Sequence, residues 1–456
     1  MKKIIFSITA IMWSVIQSNA QVGALSPTPP TLSTPAVPPV EAYSNSTSSI
    51  TRAAVTTRHK TTVYTESYTT SSPQEGQYDD AQRSKIVSKA YGIGKGDKVN
   101  VSNIYGNIIF KTWDKNEVKF DADIRAFANS EEEAQKLIDN ILITSSKNGD
   151  EAVFKVQLEN RNGSWGNGSK NGKRWRREVK IFMTVFLPAN VALIASQQYG
   201  NIEIPDFYGP TALKVQYGKL VTGNLSNANN FISAQYTVVD LKDVNKATIK
   251  QQYGNGLTIA SIGDLTLNAQ YAAVKIGTIK GNADIKQQYG NGLSIGSVDN
   301  LELEAQYASV KLGTVRGDAN IKIQYGNGLF AEQVGNLSLT AQYVGVRIGR
   351  LTGTLTAKSQ YGNGLTVEKV EPTSKMVNID SEYVTTTLAF APNYGGNLNV
   401  NTYYSNFKAG ENISARRVGS DNDKGYSSSK EYDGTIGKGG SSIVRVNAKY
   451  GGVIFR

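Results

Sequence analysis

The sequence predicts an all-β protein: a parallel β-solenoid of the right-handed β-helix type, with 18-residue coils in 36-residue double repeats and a β-rich N-terminal cap carrying one short helix. Three observations predict it. A Gln-Tyr step recurs at Tyr199, Tyr217, Tyr236, Tyr253, Tyr271, Tyr289, Tyr307, Tyr325, Tyr343 and Tyr361, spaced 18, 19, 17 and then 18 six times over, with a looser continuation at Tyr383 and Tyr404. Two versions of the unit alternate, QYGNGL at Gln252, Gln288, Gln324 and Gln360 and AQYAAVKIG-like runs between them, so the true period is 36. No proline lies between Pro210 and Pro372, as expected where nearly every backbone N–H is committed to a ladder.

A fixed 18-residue return is what a coil requires, because each turn lays equivalent residues over one another about 4.8 Å apart. A stack of hairpins would not return identical residues at that interval, so the Asn-Gly pairs at Asn255, Asn291, Asn327 and Asn363 are read as corners or bulges. Left-handed hexapeptide helices need an aliphatic residue every sixth position; Leu265 is followed at that spacing by Tyr271 and Gly277, so the match fails. The Gly-Gly-x-Gly-x-Asp calcium roll is absent too. Crossover chirality makes the right-handed coil the expectation.

In chain order, residues 1–20 (MKKIIFSITAIMWSVIQSNA) read as a signal peptide, with Lys2 and Lys3, an apolar run and Ser18 and Ala20 before a cut at Gln21. No cysteine follows to be lipidated, so the expected location is extracytoplasmic, in the periplasm or at the cell surface, and not as a lipoprotein. Residues 21–83 are Pro/Ser/Thr-rich and read as a disordered tether. Residues 84–194 alternate apolar and polar positions as half-buried strands do, and form the cap or the start of the solenoid. Ser130 followed by Glu131, Glu132 and Glu133 caps a helix near 130–140 with Ala134, Leu137 and Ile138 on its buried side. Residues 195–456 are the repeat domain, and no segment of the mature chain is apolar enough to be a transmembrane helix.

From about Lys85 to Arg456 the chain resembles the bacterial "head GIN" adhesin family, common in Bacteroidetes. The run VNVSNIYGNIIFKTWDKNEVKFDADIRAFANSEEEAQKLIDNI, the VFLP step before QQYGNIEIPDFYGP and the recurring YGN corners carry the likeness. The resemblance implies a β-helical extracytoplasmic domain and brings no catalytic residue. The chain departs from an autotransporter in having no set of membrane strands after Tyr404.

Composition excludes much chemistry. With no Cys and one His, His59, neither thiol catalysis nor a multi-His metal site is available, and no cofactor is expected. Lys250, Lys286, Lys322 and Lys358 recur every 36 residues, with Gln252, Gln288, Gln324 and Gln360 two positions on. Lys275, Lys311 and Arg347 form a second cationic row. With a net charge of +11, the strand face is expected to be polar and net basic, either to lie along an acidic envelope polysaccharide or to keep a long sheet soluble. The glutamines are expected to stack amide on amide. The tyrosines, placed on the core parity, are expected to pack as stacked rings at a corner with their hydroxyls reaching water, with sugar stacking on the rings as the alternative. The loop NRNGSWGNGSKNGKRWRRE offers Arg161, Lys170, Lys173, Arg174, Arg176 and Arg177 with Trp165 and Trp175, either an anion-binding loop or a plain connection; secretion argues against nucleic acid as its partner.

The resulting expectation is a non-enzymatic, adhesin-like binding module presenting a basic Lys/Gln face to an acidic glycan. Its rivals are a structural envelope spacer and a β-helical carbohydrate-active enzyme using carboxylates such as Glu302 and Glu304, with Asp240. Edge-to-edge self-association is the remaining open partner.

Overall fold

The computed structural model describes residues 65–69, 81–159, 165–418 and 428–456. Residues 1–20, expected to be a signal peptide, most of the 21–83 stretch, His59 and Arg161 lie outside the described residues.

The repeat region is a parallel β-solenoid. Strand pairs with a separation near 18 run from coil to coil, as in Leu265↔Ala283, Ala283↔Leu301 and Leu301↔Ala319. From one coil Leu257, Ile259, Ile262, Leu265, Leu267 and Ala269 point inward, none more than 2% exposed. Each large aliphatic side chain buried this way contributes about 1.5–3 kcal/mol, so the core is one continuous apolar column built one layer per coil.

The corners explain the 36-residue period. Tyr253 and Leu257 lie four residues apart, whereas their partners in the next coil, Tyr271 and Val274, lie three apart. At the following corner the order reverses: Ile262 to Leu265 is three residues, Ile279 to Ala283 four. Every coil therefore has one long and one short corner and closes at 18. The Asn-Gly pairs supply the long Tyr-side corner, with Gly256 at φ +153, and join strands of a parallel ladder, not a hairpin. Between Tyr361 and Tyr383 the coil lengthens to admit Pro372 in a loop that interrupts no ladder.

The solenoid starts earlier than the Gln-Tyr repeat. Strands Lys98–Ile104 and Gly106–Thr112 form a coil that pairs in parallel with Ala192–Gln198 and Ile202–Ile204. On its other side lie Glu151–Leu158 and Lys173–Leu187. Antiparallel strands Ile141–Asn148, Glu117–Ala128 and Ala81–Gly92 then close the end, with Phe120 and Phe154 stacked at 4.9 Å beneath them. The helix Glu131–Asp139 packs over this cap; Ser130 Oγ accepts from the Glu133 N–H at 3.2 Å and Ala134, Leu137 and Ile138 are buried. Thr65–Thr69 also forms a strand, antiparallel to Ala81–Gly92, within the stretch expected to be a tether; its β-prone Thr and Tyr residues complete an otherwise open sheet edge.

The far end has an order the repeat does not foretell. Strands Ser442–Lys449 and Val453–Phe455 sit between the coil of Met376–Glu382 and Thr386–Phe390 and the coil of Gly396–Tyr403 and Phe407–Lys408. The segment latest in sequence is thus inserted as a penultimate rung. Ser429–Ile436 and Ile413–Val418 then cover the last coil in antiparallel fashion.

Candidate functional site

The corner tyrosines form one uninterrupted column. The twelve tyrosines of the sequence repeat are joined by Tyr105 at the N-terminal end and by Tyr450, which the inserted rung places between Tyr383 and Tyr404. Successive rings are near-parallel with centroids 4.7–5.6 Å apart, as in Tyr271–Tyr289 at 5.1 Å and Tyr289–Tyr307 at 5.0 Å. Trp165 continues the column past Tyr105 at 6.3 Å.

Their placement departs from the expectation that they share the core parity. All fourteen have φ between +48 and +60, the left-handed region, and this single residue breaks the inward–outward alternation of the strand. The ring swings outward, and thirteen of the fourteen are 42–50% exposed. Stacking covers the ring faces, so edges and hydroxyls are what solvent meets. At the column's ends Arg177 lies over Trp165, 5.2 Å from its centroid, and Tyr403 meets Tyr404 edge-on at 4.6 Å.

Amide rows flank the column. Gln252 donates to Gln270, Gln270 to Gln288, and so on through Gln306, Gln324, Gln342 and Gln360, at Nε2–Oε1 distances of 2.7–3.5 Å; Gln198, Gln216 and Gln235 form a shorter run. The expected amide ladder is therefore present. It ends on Glu382, which accepts from Gln360 at 3.0 Å. On the other side of the tyrosines Asn255, Asn291, Asn327 and Asn363 stand exposed at every second coil.

A second set of glutamines braces the corners from inside. Buried Gln251 donates to the Thr237 carbonyl at 2.7 Å and Gln287 to that of Ala272 at 2.8 Å, in each case the residue after the previous coil's tyrosine. The glycine after the tyrosine is required here: a Cβ on Gly290 would lie 1.8 Å from Gln287 Nε2 and 2.6 Å from the Ala272 oxygen.

Charge near the column is local. Beside the phenol of Tyr361 the Glu382 carboxylate, then burial and the neighbouring tyrosines, raise the pKa above the ordinary phenol value. Burial, then the phenols of Tyr403, Tyr383 and Tyr404, raises that of Tyr450. These phenols stay protonated donors at neutral pH.

The lysine row lies on the adjoining strand face, and the register changes its character. Lys286 pairs with Glu304, Glu304 with Lys322, and Lys358 with Asp380. Lys286 Nζ is 3.9 Å from Glu304, and Lys250 lies over the Phe231 ring at 5.9 Å. Over the seven coils from Lys246 to Lys358, outward positions carry Lys246, Lys250, Lys286, Lys322 and Lys358 against Asp264, Asp284, Glu302, Glu304 and Asp318. Five cations face five carboxylates, so the face expected to be net basic is balanced. Four of those acids, with Asn282, Asn300 and Asn336, line a shallow open groove of about 710 Å³, where Asn300 donates to Asn282 at 3.0 Å and Asn336 to Asp318 at 2.8 Å. Glu302 accepts from Asn320 within it. The second row alternates with uncharged partners, Lys275 with Ser294 and Lys311 with Phe330, and Arg347 pairs with Glu368.

The basic loop is a hairpin at the column's Trp165 end. Gly166–Lys170 and the start of Lys173–Leu187 pair antiparallel around Asn171 and Gly172, at φ +52 and +74, the two-residue turn with both φ positive. Trp175 packs against Gly168, Arg176 sits 3.7 Å from the Phe127 ring and bonds Glu178 at 2.8 Å, and Lys173 and Arg174 are exposed. Two features that look separate in sequence, the loop and the tyrosine repeat, thus meet through Trp165 and Arg177. Tyr105 and Tyr450 were legible only through the Tyr-Gly steps IYGN and KYGG.

No protein-family model matches the chain, so the head GIN likeness remains a resemblance, and no curated protein matches it either. Among solved structures, a "putative cell adhesion protein" from Clostridium sporogenes is 10% identical, covering 82% of this chain and 98% of that one, with a TM-score of 0.17. A "putative adhesin" from Parabacteroides distasonis is 14% identical, covering 64% and 96%, with a TM-score of 0.18. Likenesses this slight bear no weight on function. Among the described residues no helix is long and apolar enough to cross a membrane.

Proposed function

We propose that the protein is an extracytoplasmic, non-enzymatic binding module that holds an extended polysaccharide along its tyrosine edge. One observation carries this: fourteen tyrosines occupy left-handed corners, stacked face to face with their edges open. A non-glycine residue in that conformation costs roughly 1–2 kcal/mol, which glycine avoids and asparagine lessens. Ring stacking returns about 0.5–1.5 kcal/mol per pair, so strain and stacking roughly cancel. Stability alone therefore gives no reason to prefer tyrosine to glycine at every corner, and strain kept for no net gain in stability points to use.

The exposed strip also exceeds what a soluble monomer normally shows. Rings of about 150–250 Å² each, nearly half open, leave on the order of 1,000 Å², against roughly 300–600 Å² for a usual largest patch. A partner gains from every rung only if its own repeat keeps step with a 5 Å spacing. Phenols between two rows of carboxamides present donors and acceptors suited to a chain of hydroxyls. Because ring faces are covered, recognition runs through hydroxyl edges and not through sugar rings lying flat on aromatics. Trp165, Trp175, Arg174, Arg176 and Arg177 at one end favour acidic groups on the polymer there, while the balanced row of Lys250, Lys286, Lys322 and Lys358 contributes little.

The test compares the mature chain from Gln21 with two variants on neutral and acidic polysaccharides, peptidoglycan and lipopolysaccharide. One changes Tyr253, Tyr271, Tyr289 and Tyr307 to Phe, keeping the stack and removing hydroxyls; the other changes the four lysines to Glu. Loss of binding in the first and retention in the second is expected. The reverse pattern would move the site to the lysine face, and a wild-type protein that binds none of these polymers would end the reading.

A further inference from the structure

We propose that the tyrosine edge is also an oxidative cross-linking site, at which a peroxide-driven one-electron oxidant couples the phenols of successive coils into dityrosine. The chain has no cysteine, so a covalent staple between coils has to come from other side chains. Tyr271, Tyr289 and Tyr307 are 48–49% exposed, and their rings lie 5.0–5.1 Å apart within 9° of parallel. The open edge of each ring bears the hydroxyl and the two Cε carbons beside it, where a phenoxyl radical carries much of its unpaired spin. Each radical therefore has a like partner one rung above and below, held by the backbone ladder Tyr271 N–H to Gln288 O and Tyr289 N–H to Gln306 O at 3.0 Å.

Each phenol gives up one electron and its hydroxyl proton. Two neighbouring radicals then form one Cε–Cε bond, and the two displaced ring hydrogens return through solvent to restore both phenols. The balance is two protons and two electrons released, which one hydrogen peroxide takes up to become two waters through a haem peroxidase. Turning about Cα–Cβ and Cβ–Cγ brings the Cε atoms together while leaving the coil-to-coil hydrogen bonds in place.

The experiment treats the full mature chain with horseradish-type peroxidase and peroxide, digests it with trypsin and maps cross-links by mass spectrometry. A Tyr271–Tyr289 bond joins fragments 251–275 and 287–311. The expected product is monomeric and linked between adjacent rungs. A variant with Tyr217, Tyr253, Tyr289, Tyr325 and Tyr361 all changed to Phe keeps the stack but separates the remaining phenols from Tyr199 to Tyr383 by two coils; its links within that stretch should fall to the level of the urea-unfolded chain, while Tyr105–Tyr199 and Tyr383–Tyr450–Tyr404, still adjacent, keep theirs. Links chiefly between molecules, no links in the folded protein, or equal yields before and after unfolding would each overturn the proposal. This outcome is independent of polysaccharide binding, which the Phe and Lys variants above read separately.

Discussion

Replacing Tyr289 by glycine and by alanine separates the two energies that meet at a corner. Both variants lose the stacks to Tyr271 and Tyr307, at 5.1 and 5.0 Å, worth about 1–3 kcal/mol together. Alanine retains the strain of φ +51, so its whole loss should appear as destabilisation of about 1–3 kcal/mol. Glycine is relieved of roughly 1–2 kcal/mol of strain and gives back about 0.5–1 kcal/mol as extra chain entropy lost on folding. Glycine should therefore be the more stable variant by about 1 kcal/mol, the opposite of the order in an ordinary strand. Urea unfolding of the two variants, followed by far-ultraviolet dichroism and compared at equal m-value, reads the difference. Alanine equal to or better than glycine would show that the corner stores no strain, and would remove the ground for assigning tyrosine a role beyond packing.

Three further outcomes follow from the same geometry. Gln287→Ala leaves the buried Ala272 carbonyl without its 2.8 Å donor and should cost about 1–3 kcal/mol, read as a lowered urea midpoint. Because Tyr361 and Tyr450 have raised pKa values, the folded state holds their protons more tightly than the unfolded chain. The contribution of these phenols to stability should be constant below the ordinary phenol pKa of 10.0 and be lost as pH rises through the raised folded values, and Glu382→Gln should bring the phenolate absorbance of Tyr361 to lower pH. Deleting 442–456 leaves Met376–Glu382 and Gly396–Tyr403 each with an unpaired parallel edge. Limited proteolysis should then digest the coils after about residue 375 while leaving Lys98 to Val370 protected, since each coil leans mainly on its neighbours; general unfolding would contradict that independence.

What the sequence discloses here is what repeats locally. The 18-residue return, the Gln ladder and the capped helix at Ser130 all express contacts between equivalent or nearby residues, and periodicity reports those. The tyrosines were misplaced because alternation assumes extended backbone throughout, whereas one left-handed residue at each corner resets it. Lysines at period 36 suggested a basic face because the carboxylates do not share that period: Asp264, Glu302 and Glu304 sit in the alternate coils and Asp284 and Asp318 beside the lysines in their own, and register decides that they are neighbours. Nothing near Trp165 indicates that it completes the column at Tyr105, since the two are brought together by pairing between Gly106–Thr112 and Lys173–Leu187.

The inserted rung has a mechanical consequence. A solenoid growing in sequence order could stack each coil on the last, but residues 396–408 cannot take their place until 442–456 has arrived beneath them. The final two coils must assemble in the reverse of the order of synthesis, and the coil of 396–408 waits. Once seated, residues 442–456 are held by a ladder on each side. A force applied along that segment has to shear both ladders at once, whereas the outer turn of an ordinary solenoid peels away bond by bond. The stack is closed at this end by a bolt that only sliding can withdraw.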